Sequence, residues 1–157
     1  MNRFATAQFA AVRAGYGAVL LCAPDPVVRL YAGQPADRRT RAVARLLGAR
    51  HLAQAVLTAG TPGRAVLALG VEADLAHAAS MIGLAGWDRS RARAGLVDAT
   101  GALGFALAGA LLAGHTPSTP PHPATGGAVL ARFAAVREAA AARLARWLLP
   151  SPLRPAG

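Results

Sequence analysis

A group of three polar residues interrupts an apolar stretch near the middle of the chain, LLGARHLAQAV, residues 46–56. Its centre holds Arg50 and His51, with Gln54 about one helical turn further on. At about 100° per residue, these side chains fall within one sector of a helix. Arginine, histidine and amide groups on one face of an apolar helix can pair with carboxylates, bind a small ligand or relay protons. This face is therefore the first candidate for a functional site.

A complementary set of polar side chains follows in the next apolar segment, GVEADLAHAASM, where Asp74 and His77 share a narrow helical face. The short GTPG loop between the two segments predicts an antiparallel helical hairpin. Arg50 lies about ten residues before that loop and Asp74 about eleven residues after it, so at 1.5 Å of rise per residue both reach nearly the same depth. We therefore expect Arg50 to pair with Asp74, with both histidines close by.

Three further ionisable residues lie within apolar segments, namely Arg13, Glu72 and Asp98. A charge left alone in hydrocarbon is costly, so such residues face the interior of a helix bundle and find partners there. We expect Arg13 to pair with Glu72 or with Asp98. The two histidines of the candidate site lack a third ligand at metal-binding spacing, so the sequence predicts neither a metal site nor a cofactor.

The composition indicates that lipid is the solvent of this chain. Hydrophobic residues make up 54% of its 157 residues and the mean hydropathy is +0.36. Charged residues make up only 15%, whereas average soluble domains carry roughly 25%. The net charge of +10 is the difference between 17 basic residues, all of them arginine, and 7 acidic residues. They form no continuous basic stripe, and no zinc-finger, RNA-recognition or basic-zipper pattern occurs, so nucleic acid is not an expected partner.

Four apolar segments, each close to the length of about 20 residues that spans a bilayer, are separated by loop signals rich in proline, glycine or charge. They cover residues 4–23, 40–59, 64–87 and 93–114. The first is expected to be a retained helix and not a cleaved signal peptide. We predict an all-α fold, a four-helix transmembrane bundle in a multi-pass protein of the inner (plasma) membrane. The first and third loops carry the most arginines and are expected on the cytoplasmic side.

The rest of the chain predicts an additional helix outside this bundle. The expected division is a membrane domain at 1–114, a linker rich in Pro, Thr and Gly at 115–127, an amphipathic helix at 128–149 and a disordered tail at 150–157. Three arginines, Arg132, Arg143 and Arg146, gather on one flank of the apolar face of that helix. The helix either lies in the membrane interface, with these arginines on anionic lipid, or packs on its own protein. The sequence leaves both hypotheses open.

The chain contains no Walker A, G-x-G-x-x-G, G-x-S-x-G or H-E-x-x-H pattern, so no catalytic activity is predicted. The first functional hypothesis is an accessory or scaffold membrane protein, whose buried Arg/His/Asp cluster specifies helix packing and which acts as a homo-oligomer or within a membrane complex. Two alternatives stay open. One is a small transporter or ligand-binding membrane protein that uses the cluster, and the other is a soluble alanine-rich helical bundle.

Two short patterns support a family resemblance: the G-x-R-x-L-x-Q stretch at residues 48–54 and the D-x-x-H stretch at residues 74–77. With their surroundings they resemble small four-helix membrane proteins of unknown function that are common in actinobacteria. These are loosely similar to DoxX-like proteins in size and layout. The resemblance covers residues 9–114, and it implies a membrane location and a helical bundle but no activity.

Overall fold

The structure, a computed structural model, describes residues 3–60, 62–116, 132, 135, 136 and 138–143. Regular structure within these residues is entirely α-helical, which confirms the predicted all-α class. Five helices follow one another up to residue 114: α1 (Arg3–Cys22), α2 (Pro24–Ala32), α3 (Arg38–Thr58), α4 (Arg64–Trp87) and α5 (Ala92–Gly114). Residues 138–143, called the C-terminal segment below, are also helical.

Four of these helices, α1, α3, α4 and α5, coincide with the four predicted apolar segments to within about two residues, the usual uncertainty of helix ends. Three of them, α1, α4 and α5, are long and apolar enough to cross a membrane. The 21-residue α3 has a similar length but is less apolar, because it carries arginines at positions 38, 39, 41, 45 and 50. The second predicted membrane-spanning segment, α3, is therefore the one whose polar side chains need partners inside the bundle.

The first loop contains a helix that the sequence analysis missed. The PDP stretch, residues 24–26, is the proline-rich loop signal that follows the first predicted segment, but both of its prolines lie in the first turn of α2. Proline is tolerated there because the first N–H groups of a helix have no partner within it. The helix ends at Gly33, whose φ of 71° is left-handed and whose N–H donates to the Arg29 carbonyl at 2.8 Å. An exposed ion pair of 2.7 Å joins Asp25 of α2 to Arg41 of α3.

The bundle is built from two close helix pairs, α1 with α3 and α4 with α5. Glycines bring the backbones of the first pair together, since a Cβ on Gly17 would lie 2.8 Å from the Gly48 carbonyl oxygen. A Cβ on Gly48 would lie 2.6 Å from the Gly17 carbonyl oxygen. In the second pair, a Cβ on Gly95 would lie 2.8 Å from the carbonyl oxygen of Met81. Small residues at these positions allow the close approach.

The prediction that α3 and α4 pack together as an antiparallel hairpin was wrong. The two helices are consecutive, but α3 packs along α1 and α4 packs along α5, so α3 and α4 meet at only a few positions. The physical reason is that the glycines that let two helix backbones approach closely, Gly17, Gly48 and Gly95, lie within the α1–α3 and α4–α5 pairs. The seam between the two pairs is wider, and long polar and aromatic side chains bridge it.

Small residues fill the core, and many large apolar side chains lie on the outside. Most of the buried hydrophobic residues are alanines, such as Ala78, Ala99 and Ala102 where α4 meets α5. Each long helix exposes large apolar side chains, among them Val12 (64% exposed), Leu46 (73%), Ile82 (48%) and Leu107 (63%). This distribution is typical of helices that pack through small residues and present large ones to lipid.

The ends of the bundle helices are set by local polar contacts. At the start of α3, the Asp37 carboxylate accepts a hydrogen bond from the Thr40 N–H at 2.6 Å. This bond satisfies an N–H group that has no partner within the first turn, and it holds the pKa of the exposed Asp37 carboxyl below its usual value. At the end of α5, His115 Nδ1 donates to the Leu111 carbonyl at 2.7 Å.

The C-terminal segment packs on the bundle beside the loop between α3 and α4. The Glu138 carboxylate accepts a hydrogen bond of 2.9 Å from the Gly63 N–H, and Ala141 is buried. These contacts favour the second hypothesis for the predicted helix at 128–149, in which it packs on its own protein. The segment thereby covers one end of the seam between the helix pairs.

Much of the predicted C-terminal unit lies outside the described residues, namely residues 117–131, 133, 134, 137 and 144–157. These ranges include most of the predicted linker, the predicted tail and Arg146. The other two arginines that we assigned to lipid, Arg132 and Arg143, are exposed. The bundle itself ends at Gly114, the last residue of α5.

Candidate functional site

Asp74 is the centre of a buried polar cluster that joins the two helix pairs. Its carboxylate, on α4, is 1% exposed. Arg13 of α1 donates through Nη2 to Oδ2 at 2.5 Å and through Nη1 to Oδ1 at 3.3 Å. Arg50 of α3 donates through Nη2 to Oδ1 at 2.9 Å, and Gln54 Oε1 accepts from Arg13 Nη1 at 2.6 Å. These four residues are called the Asp74 cluster below.

The Arg50–Asp74 ion pair is the one predicted from helix depth, whereas the predicted partner of Arg13 was wrong. Arg13 pairs with Asp74, and not with Glu72 or Asp98. Because α1 packs against α3, both arginines approach from the same side and reach the same carboxylate. Glu72 is partly buried and forms no ion pair with any residue that the structure describes.

Aromatic rings enclose the Arg13 side chain, which is only 2% exposed. Its guanidinium carbon lies 4.8 Å from the centre of the Phe9 ring and 4.6 Å from that of the Phe105 ring. A guanidinium over aromatic faces gains a cation–π attraction that is stronger away from water. The sequence analysis missed both phenylalanines. The spacing of Phe9 and Tyr16, four residues before and three residues after Arg13, could have placed their rings beside it. Phe105 lies among small residues of another helix, and nothing in its position in the sequence links it to Arg13.

His51 lies beside the Asp74 cluster, in contact with rings rather than in an ion pair. It is 3% exposed, and its ring centre is 5.0 Å from that of Tyr16 and 5.1 Å from that of Phe105. Its Nδ1 has no hydrogen-bond partner among the residues that the structure describes. The Tyr16 hydroxyl is 3.1 Å from the hydroxyl of Tyr31, so α2 reaches this side of the site.

His77 does not join the Asp74 cluster, which corrects the expectation that both histidines lie beside the Arg50–Asp74 pair. His77 Nε2 is instead 2.8 Å from Oδ2 of Asp98 on α5. This contact forms because α4 and α5 pack side by side. It links the two helices of one pair, whereas the bonds of Asp74 cross the seam between the pairs.

A cavity of about 370 Å³ opens beside the Asp74 cluster. Most of its wall is apolar, with side chains such as Val66 and Leu67 of α4. Three polar residues contribute to the wall, Arg13, Gln54 and Thr58, and the first two are bonded to each other. Small-molecule sites in proteins are mostly apolar cavities of roughly 300–1,000 Å³ with a few polar groups. The cavity has these properties.

The geometry of the site supports ion pairing and ligand binding more directly than a reaction. Both oxygens of Asp74 accept hydrogen bonds from guanidinium groups, and the residue is 1% exposed. A general base must lie within reach of a substrate proton, whereas this carboxylate is enclosed and held by two guanidinium groups. Among the described residues, no group of three histidine, cysteine, aspartate or glutamate side chains could hold a metal ion.

No model of a protein family, no curated protein and no solved structure matches this chain. What the protein does is therefore inferred from its own residues and their surroundings.

Proposed function

We propose that this protein is a multi-pass integral membrane protein of the inner (plasma) membrane, with an accessory or scaffold role and no catalytic activity of its own. The observation that carries the proposal is the distribution of side chains, since alanines fill the core and large apolar side chains cover the outside. In water such a surface would favour aggregation, whereas in a bilayer it contacts lipid chains. Three helices, α1, α4 and α5, have the length and apolarity to cross.

We propose that α3 also spans the membrane, although it is less apolar than the other three helices. Its first-turn arginines, at positions 38, 39 and 41, would lie at the headgroups, and the long side chain of Arg45 can extend toward the same level. Arg50, further along the helix, is paired with Asp74. Between these groups α3 exposes large apolar side chains such as Leu46. Charged residues that are paired or near a helix end are the ones a membrane tolerates.

The Asp74 cluster supports a scaffold role because it is a specific link between the helix pairs. One carboxylate from the α4–α5 pair holds one arginine from each helix of the α1–α3 pair. In lipid, apolar contacts alone do not select a neighbour, whereas hydrogen-bonded polar groups select both neighbour and register. We also propose that residues 9–114 are related to the small four-helix membrane proteins of actinobacteria, loosely DoxX-like, that this stretch resembles. Assembly into a homo-oligomer or a membrane complex is likewise proposed.

We propose that the arginines of the predicted C-terminal helix contact anionic lipid headgroups. Arg132 and Arg143 are exposed, and the C-terminal segment is held at the α3–α4 loop by Glu138. If α3 and α4 cross the bilayer, that loop lies at the headgroups on the side opposite the first and third loops, where basic side chains are attracted to the anionic lipids of that leaflet. Arg146 belongs to the same predicted flank.

We expect the full chain to stay in the membrane pellet after extraction with alkaline carbonate. Carbonate strips basic proteins that adsorb to anionic lipid through charge alone, but it does not remove helices that span the bilayer. The measurement is an immunoblot of pellet and supernatant, with one known peripheral and one known integral protein as controls. Release into the supernatant would contradict the proposal and would favour the soluble-bundle alternative.

The orientation of the protein can be tested on the native chain, because Cys22 is its only cysteine and is exposed at the end of α1. With the arginine-rich first loop on the cytoplasmic side, a membrane-impermeant maleimide should label Cys22 in inside-out vesicles and leave it unlabelled in intact spheroplasts. The variant Cys22→Ser controls for labelling elsewhere. Labelling in intact spheroplasts would reverse the proposed orientation.

A further inference from the structure

The cavity beside the Asp74 cluster combines an apolar wall with an unused hydrogen-bond donor. Arg13 lines the cavity and is 2% exposed. Its Nη atoms donate to Asp74 and Gln54, but its Nε–H has no partner among the residues that the structure describes. A buried donor without a partner is unfavourable and uncommon in native proteins. An acceptor atom on a bound molecule would satisfy it.

The charges around the cavity favour an anionic acceptor over a neutral one. Two guanidinium groups, those of Arg13 and Arg50, share the single carboxylate of Asp74. The carboxylate of Asp98 is engaged by His77 instead. The Asp74 cluster therefore carries one more positive than negative charge. Its charged member in the cavity wall, Arg13, is only 2% exposed, so water screens the charge of that guanidinium little. A second anion close to Arg13 would balance this charge.

We propose that the cavity binds a single-chain amphipathic anion, with a carboxylate or phosphate group at Arg13. Nε of Arg13 is itself buried, so an oxygen of that group accepts the hydrogen bond from Nε–H when the side chains around it shift on binding. The apolar chain lies against residues such as Val66 and Leu67. Ala140 and Ala141 of the C-terminal segment form part of the wall, so this segment covers the bound molecule. The site adds a ligand to the scaffold role proposed above and involves no chemical step.

Two glycines of α4 provide a matched pair of variants for a test. A Cβ at Gly70 or at Gly83 would meet no atom within 4 Å, so the first carbon of a larger side chain does not touch the backbone of a neighbouring helix at either position. Gly70 lines the cavity, whereas Gly83 is exposed elsewhere on the helix. Gly70→Leu therefore fills part of the cavity, and Gly83→Leu adds the same side chain to the outer surface.

The experiment uses the purified full chain in a neutral steroid-based detergent, whose rigid body does not imitate an alkyl chain. Wild type and both variants are titrated with dodecanoate, dodecyl phosphate and dodecanol, and the molecules bound per chain are counted by native mass spectrometry. Stronger binding of dodecyl phosphate would indicate a lipid headgroup as the natural anion. Stronger binding of dodecanoate would indicate a free fatty acid.

We expect one anion to bind per chain, with dodecanol about ten- to a hundredfold weaker because it lacks the charge-assisted hydrogen bond. Gly70→Leu should lose this binding and Gly83→Leu should retain it. Three results would overturn the proposal: no bound anion, equal binding of dodecanol, or equal binding by the two variants. Carbonate extraction measures membrane insertion independently, so failure of the ligand site and failure of the membrane proposal are distinguishable.

Discussion

Replacing Asp74 by asparagine is expected to destabilise the folded bundle by about 3–5 kcal/mol, the range for removing one partner of a buried ion pair. Asparagine keeps the size of the side chain but removes the negative charge that Arg13 and Arg50 share. Arg13 is 2% exposed, so its charge would stay buried without compensation. Arg50 is 28% exposed and can turn partly outward. The measurement is the free energy of unfolding, from a titration with urea in neutral detergent micelles monitored by circular dichroism.

The matched control for this prediction is Asp88→Asn, which makes the same substitution at a carboxylate outside the Asp74 cluster. Asp88 follows α4, has a side chain that is 36% exposed and bonds only locally, to Ser90 and Arg91, so its replacement should change stability little. A triple variant that replaces both arginines by methionine and Asp74 by leucine should recover most of the lost stability, because apolar residues of similar volume need no partner. Wild-type stability of Asp74→Asn would contradict the role assigned to the Asp74 cluster.

The second large effect is expected when a single methyl group is added at the contact between α1 and α3. Gly17→Ala should destabilise the bundle by about 1–3 kcal/mol or more, the usual cost of overpacking. The added Cβ would lie 2.8 Å from the Gly48 carbonyl oxygen and 3.0 Å from the Leu52 backbone nitrogen. Backbone atoms cannot rotate aside, so the two helices must move apart. Because Arg13 lies one turn away on α1, its bonds to Asp74 should weaken as well.

The control for this substitution lies two residues away on the same helix. A Cβ on Gly15 would meet no atom within 4 Å, so Gly15→Ala should be neutral or stabilising by up to about 1 kcal/mol through helix propensity. Comparing the two variants by the same urea titration separates the clash from the general effect of replacing glycine. Equal stability of Gly17→Ala and Gly15→Ala would show that the close contact of α1 and α3 does not hold.

The helices and one ion pair could be predicted from the sequence because they depend on local information. Apolar runs ended by proline, glycine or charged residues correspond to α1, α3, α4 and α5. The depth of a residue follows from its distance to the nearest loop, whichever helices pack together. For that reason the pairing of Arg50 with Asp74 was predictable even though the expected hairpin packing was wrong.

The helix α2 and the partner of Arg13 were not predictable from that information. Proline next to an apolar run either ends a helix or begins the next one, and the sequence alone does not decide which. Arg13 had three carboxylates within reach of its expected depth, so the choice depended on which helix lies beside α1. The aromatic surroundings of Arg13 depended on the same choice, since Phe105 is far away in the sequence.

By itself, the sequence determined that the chain is helical, which segments are apolar, and which polar residues lie deep inside them, because hydropathy and helical periodicity act over neighbouring residues. The tertiary structure alone decided which helices are neighbours. That choice depends on close backbone contacts such as the one between Gly17 and Gly48, which join residues distant in the sequence. It brings two arginines to Asp74 and leaves His77 to Asp98.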